Sequence, residues 1–238
     1  MVSIAGSKKL KRQMAPLFWG VSRKEKRFAV TVKPGPHSKN QSVPTSIFLR
    51  DMLKIVKTLR EAKSTIYGQK VKIDGVVRKS LHHGIGLMDV VELDNVSDVY
   101  RLVPMNGRIL QPLKVPDTEK TKKIVKITSK TTLKGGKIQV GFHDGRVIIS
   151  DKDVKVGDSC IIEVPTQKIL DVIKMEKGCQ GLVTNGINAG GLGTIEDIEE
   201  GTFRLKKKVF LNLGERKIEI PINIVMAVGK EKPAITVR

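Results

Sequence analysis

Two groups of residues have types and spacing that could do chemistry. The first is a glycine run, with Gly178, Gly181, Gly186, Gly190, Gly191 and Gly193 inside sixteen residues. A phosphate-cradling loop needs Gly-Lys-Ser/Thr after four spacers, so that backbone N–H groups and one lysine hold the phosphates. Gly186 and Gly191 have that spacing, but Leu192 stands where the lysine must be. A dinucleotide fingerprint needs a third glycine opening a helix, and Glu196 occupies that place. The glycines therefore serve backbone geometry, permitting positive φ and close approach of strands in a strand–loop–strand unit. The second group is the histidines: His37, His82, His83 and His143. The side chains of His82 and His83 diverge in an extended segment, and no cysteine or carboxylate completes a metal-ligand spacing. His143 precedes Asp144-Gly145, the setting of an ordinary turn histidine. No Gly-x-Ser-x-Gly elbow occurs. The acidic patch Glu196, Asp197, Glu199 and Glu200 lacks a burial context that would separate its pKa values, and reads as a solvated loop or a spot that avoids an anionic partner. The expectation is a chain that is not an enzyme and takes no metal, cofactor or small-molecule substrate.

The charge says more. Among 238 residues, 44 Lys and Arg stand against 24 Asp and Glu, a net charge of +20. An imbalance of that size is an argument about partners, and it favours a polyanion, nucleic acid being the commonest. A membrane is the rival surface, but no stretch approaches 18 apolar residues, and Met1–Lys9 lacks the apolar core of a signal peptide. Cys160 and Cys179 have neither metal-ligand spacing nor the density of a secreted scaffold, which points to a reduced, cytoplasmic setting. The charge is graded: residues 1–40 carry +9, residues 41–90 +5, residues 91–170 +4 and residues 171–238 +2.

The elements that must position these charges follow from periodicity. Residues 1–43 show no sustained apolar period and read as an extended basic arm that cannot bury itself alone. Their cations include Lys8, Lys9, Lys11, Arg12, Arg23, Lys24, Arg27 and Lys33, and Trp19 is the only tryptophan of the chain. Such an arm gains order by neutralising phosphates and stacking its aromatics; a solubilising tail is the bland alternative. From Ser46 to Tyr67 the period is helical, with Phe48, Met52, Ile55, Leu59, Ala62 and Ile66 recurring at three and four. Thr58-x-x-Glu61 is a capping box that starts a second helix, Gly68 stops it, and Thr45 or Ser46 caps the first. Arg50, Lys54 and Lys57, at i, i+4 and i+7, form one basic face that Arg60 and Lys63 extend. The alternatives for that face are solvent and phosphate. Strands follow: Val71–Ile73 turns at Asp74-Gly75 into Val76–Arg78, and Leu87–Leu93 is a further strand. Residues 94–173 are short strands at regular spacing, including a hairpin that turns at Asp144-Gly145. Residues 174–238 carry the glycine run and three more apolar strands, enough for a second small β unit.

Several of these segments resemble known modules. The glycine run is similar to the KOW motif, a small-barrel segment of ribosomal proteins and elongation factors, with Gly178, Gly181, Gly186, Asn188, Gly190 and Gly193 as its loop. Two short helices and a basic hairpin resemble the S-four RNA-binding domain. That resemblance places RNA across Arg50, Lys54, Lys57, Arg60, Lys63, Lys72, Arg78 and Lys79. The whole order resembles the archaeal and eukaryotic small-subunit ribosomal protein S-four-e family. The matching stretches are Lys9–Arg12 with Ala15-Pro16 and Trp19, Pro34–His37, Ile47–Arg50, Val71–Gly75, Gly86–Val90, Gly135–Lys137 and His143–Arg146. Val147 departs from the family's asparagine, and Ala234 stands where a tryptophan is usual. The short tail leans archaeal.

The resemblance implies a mainly β chain with a small α+β RNA-binding domain. Its expected divisions are a basic extended arm (1–43), an S-four-like domain (44–93), a central all-β domain (94–173) and a KOW-containing SH3-like small barrel (174–238). It implies a structural constituent of the small ribosomal subunit whose partners are ribosomal RNA and neighbouring ribosomal proteins, and it adds His37 and Arg146 to the RNA-facing residues. The rival readings are a KOW-containing transcription elongation-type factor and an accessory of an RNA-modifying enzyme.

Overall fold

The computed structural model describes residues 9–94, 96–150, 153–203, 205–214 and 216–238. It is mainly antiparallel β with few helices, organised as three five-stranded sheets and two short two-residue pairings. In the first sheet the spatial order is Val76–Val77, Val71–Ile73, Val90–Leu93, Val96–Met105, Arg108–Val115. The second runs Val147–Ile149, Ile138–Phe142, Lys122–Thr132, Ser159–Glu163, Ile169–Ile173. The third runs Lys217–Pro221, Lys208–Asn212, Leu192–Glu199, Gln180–Val183, Val225–Gly229.

Turn chemistry explains the hairpins. Asp74 and Gly75 both take positive φ (51° and 74°) between paired Ile73 and Val76, as the favoured two-residue hairpin turn requires. The strand expected at Leu87–Leu93 begins only at Val90, because Met88 is left-handed (φ 63°). The sheet also continues past residue 93, where the sequence reading closes a segment. Val91 pairs with Tyr100, so 96–115 share a sheet with 71–93. A short connection between two strands reads, in sequence, like a boundary.

The helical region is two pieces, with the second as expected. Leu59–Tyr67 opens on Thr58, whose hydroxyl accepts from Glu61 N while Glu61 reaches back to Thr58 N, a capping box. The first piece is Thr45–Ile47 continued by a π-turn, Phe48–Met52. Neither Thr45 nor Ser46 caps it. Their hydroxyls instead donate to His83 O and Leu81 O, fastening the helix start to that segment.

The arm is corrected most. Its Leu10–Lys11 pairs with Phe28–Ala29, and Leu10, Phe18, Trp19 and Val32 enter one apolar core with Ile47, Phe48, Ile66, Val71 and Leu102. It is therefore not an arm without a core. A handful of apolar residues suffices because the body supplies the rest of the burial. Where the three sheets meet, Val103, Ile124, Leu182, Met226 and the tail residues Ile235 and Val237 form a second shared core.

Candidate nucleic-acid interface

Four of the matching sequence stretches converge on one buried group of charges. Lys123, only 1% exposed, donates to Asp74 Oδ2 at 2.7 Å and Asp89 Oδ1 at 2.5 Å, and lies 3.1 Å from Asp144 Oδ2. Arg146 reaches Asp74 Oδ2 at 2.5 Å and Asp144 Oδ2 at 3.2 Å. His37 Nε2 lies 3.1 Å from Asp89 Oδ2. Asp74 and Asp89 belong to the first sheet's loops, Lys123 to a strand of the second sheet, Asp144 and Arg146 to that sheet's hairpin turn between Phe142 and Val147, and His37 to the arm. The ring of His37 enters because Gly86 has no side chain: a Cβ there would stand 2.3 Å from the imidazole.

Backbone geometry fixes the carboxylates. Asp74 Oδ1 accepts from Val90 N, and Asp89 Oδ2 from Gly86 N. Burial alone would raise the Asp89 carboxyl, but Lys123 and His37 outweigh it and hold that carboxyl well below the usual range. Burial keeps Asp74 above its ordinary value despite Lys123. Burial opposes charge on Lys123 as well, and the three aspartates together reverse this, raising its ammonium far above the lysine norm. Beside them His143 is pushed down to about 4, by burial first and Lys123 second. Its Nδ1 accepts from Lys126 N at 3.1 Å, so the ring proton sits on Nε2, which donates to Leu87 O.

A second buried cation ties the tail to the body. The Arg101 guanidinium donates to Glu119 Oε2, Glu119 O, Lys122 O and Thr236 O. The tail thus docks through Ile235, Thr236 and Val237 rather than through an aromatic residue. A cavity of about 510 Å³ runs from His37 to Asn223 and has Lys126 on its wall. That ammonium donates to the carbonyls of Ile222, Asn223 and Val225 and is lowered by burial to about 8.

The residues expected to face RNA fall into three groups. Lys9, Lys11, Arg23, Lys24, Arg27, Lys33, Lys54, Lys57, Arg60, Lys63 and Lys79 are exposed. Arg50, Lys72 and Arg78 are half-buried; Arg50 is held by its neighbour Asp51 and Lys72 by Asp94. Arg12, Trp19 and His37 are buried and Arg146 is largely so. Arg12 pairs with Glu25 and Ser22 O inside the arm, and the Trp19 indole, 0% exposed, donates to Ser42 O. Trp19 is thus a core residue with no accessible face for a base, and His37 and Arg146 brace the fold. Lys8 lies outside the described residues.

The shared helical face of Arg50, Lys54 and Lys57 does not form, because the helix ends at Met52 and Lys54 takes φ 56°. Lys54, Lys57, Arg60 and Lys63 are exposed around that break. Of the paired histidines, His82 Nδ1 contacts Thr31 O at 2.7 Å, which joins the arm to the body. Among the described residues no group of His, Cys, Asp and Glu could hold a metal ion. No helix among them is long and apolar enough to cross a membrane.

In the glycine loop Gly178, Gly186 and Gly190 all take φ near +90°. A Cβ on Gly190 would meet Met105 Cα at 2.6 Å, and Gly107 N donates to Ala189 O. Asn188 accepts from Arg216. The loop therefore packs against the first sheet's 105–108 turn. Sequence reasoning missed the buried charges Asp74, Asp89, Arg101 and Lys123 and the half-buried Lys126 as bracing residues. The one available signal was three Asp-containing stretches held in common with a single family.

Comparison with known proteins reaches the same family from another side. A family model described as Ribosomal family S4e matches residues 96–169, and one described as RS4NT (NUC023) domain matches residues 5–40. The small ribosomal subunit protein eS4 of Ignicoccus hospitalis is 36% identical over 249 residues, covering 99% of this chain and 97% of that protein. The eS4 of Korarchaeum cryptofilum is 36% identical over 239 residues, with 100% of both chains covered. The crystal structure of the 30S ribosomal protein S4e from Thermoplasma acidophilum has 33% sequence identity and a TM-score of 0.71, covering 81% of this chain and 97% of that one.

Proposed function

The chain belongs to the ribosomal protein S4e family, a non-enzymatic structural component of the small ribosomal subunit, and from that premise we propose how it holds ribosomal RNA. The exposed face of the arm and the cations around the helix break neutralise phosphates, while the buried ionic centre holds arm, first sheet and second sheet in one arrangement. Phosphate contacts carry affinity and register, and release of condensed counterions drives them. The single observation that carries this reading is the separation of the charges. Lys11, Arg23, Lys24, Lys26 and Arg27 are all exposed, while the arm's one acid, Glu25, is engaged by Arg12.

In the same reading the segment 44–93 is an S-four-like RNA-binding module that continues into 96–115. The third sheet with its glycine loop is a KOW-type small barrel whose acidic strand end, Glu196–Glu200, turns away from RNA. Neighbouring ribosomal proteins are its other partners. Sedimentation of a lysate tests the function. The chain should travel with the small subunit in low salt and leave it as salt rises. Migration with free RNA polymerase in low salt would favour the elongation-factor reading instead.

A further inference from the structure

The arm's three aromatic residues, Phe18, Trp19 and Phe28, divide between core and solvent. Phe18 and Trp19 are buried. Phe28 is 44% exposed and is absent from the core cluster that its neighbours Ala29 and Val30 pack against. It lies on the two-residue pairing in which Leu10 opposes Ala29 and Lys11 opposes Phe28. Strand alternation sends Leu10 and Ala29 towards the core and Lys11 and Phe28 outward. The Lys9 ammonium lies 5.8 Å and the Arg27 guanidinium 5.4 Å from the ring centroid. A flat, half-exposed ring is thus flanked by three cations, Lys9, Lys11 and Arg27.

Resting on the RNA-binding reading above, we propose that Phe28 is a base-stacking platform, on which an unpaired base of ribosomal RNA lies while Lys9, Lys11 and Arg27 take the adjoining phosphates. Every nucleobase has a π-face that an aromatic side chain can meet, and cations beside the ring suit the charged backbone on either side of the base. A continuous A-form duplex offers no such face, since its bases stack on one another, so the occupant is a single-stranded, bulged or loop nucleotide. A cation–π contact at an exposed site is itself weak. These ring contacts give way to phosphate oxygens and uncover the ring face. Trp19 cannot do this work, because no face of it is exposed.

The test uses the full chain with a single-stranded oligoribonucleotide carrying 2-aminopurine, and with a duplex of the same length. The wild type should quench 2-aminopurine in the single strand. Phe28→Leu should weaken single-strand binding about 5- to 100-fold and abolish the quenching, with the salt slope, duplex affinity and melting temperature unchanged. Phe28→Tyr keeps a stacking face and should retain both affinity and quenching. The proposal is overturned if Phe28→Leu binds and quenches like the wild type. It is also overturned if that variant keeps its RNA affinity but no longer joins the small subunit, which would assign Phe28 to a protein neighbour. Failure of the underlying reading looks different: the wild type itself would then show no salt-dependent binding to either RNA.

Discussion

Lys123 carries its charge where water does not reach, and three carboxylates make that tolerable. Desolvating an ion costs several kcal/mol, and only close, well-directed partners return it. Here the aspartates are themselves fixed, Asp74 by Val90 N and Asp89 by Gly86 N, so their geometry does not depend on the lysine. Replacing Lys123 by Met leaves three buried aspartates with Arg146 and His37 alone. The expected cost is about 3–5 kcal/mol, read from the midpoint of urea unfolding. Lys122→Ala, next door and exposed, should stay within about 0.5 kcal/mol. A Lys123→Met protein as stable as the wild type would show that the centre braces nothing. Such residues are hard to read in sequence because a charge in a basic chain is assigned to solvent or RNA. The family resemblance placed His37 and Arg146 at RNA, and only their partners, distant in sequence, reveal the other role.

Elements were most legible where local chemistry dictates them. The Thr58–Glu61 capping box and the Asp74-Gly75 hairpin turn needed nothing beyond neighbouring residues. The misread elements depend on contacts from afar. Met88 leaves the strand conformation where its N–H bonds to Leu102 O, and Lys54 interrupts a helical period that the apolar pattern continues across. The glycine loop was legible as a strand–loop–strand unit, but not in what it packs against. Gly190 and Gly186 separate these effects, because both take φ +89° while only Gly190 meets a neighbour. Gly186→Ala should cost about 1 kcal/mol for backbone strain alone. Gly190→Ala adds a clash with the Met105 backbone, and its loss should exceed that of Gly186→Ala by at least about 1 kcal/mol. Thermal unfolding of both variants checks this, and equal losses would contradict the close packing.

At the scale of the molecule, charge and burial are sorted. The cations that brace the fold, Arg12, Arg101, Lys123 and Arg146, are turned inward to acids or carbonyls. The arm's Lys11, Arg23, Lys24, Lys26 and Arg27 are turned outward. Composition displayed the gradient from +9 to +2, but not this sorting, which depends on which acid each cation meets in space. Deleting the arm would also strip Leu10, Trp19 and His37 from the interior, so the direct test removes charge and leaves the core intact. The measurement is the slope of log affinity against log salt for small-subunit ribosomal RNA. It compares the wild type with Lys11, Arg23, Lys24, Lys26 and Arg27 all changed to Gln. A second variant changes Lys206, Lys207, Lys208, Lys217 and Lys230 of the third sheet's region to Gln. The arm variant should flatten the slope by about 3.5–4.5 and the other by at most about 1, since each lost phosphate contact removes about 0.7–0.9. Equal flattening by the two variants, or an unchanged slope for the arm variant, would contradict the account.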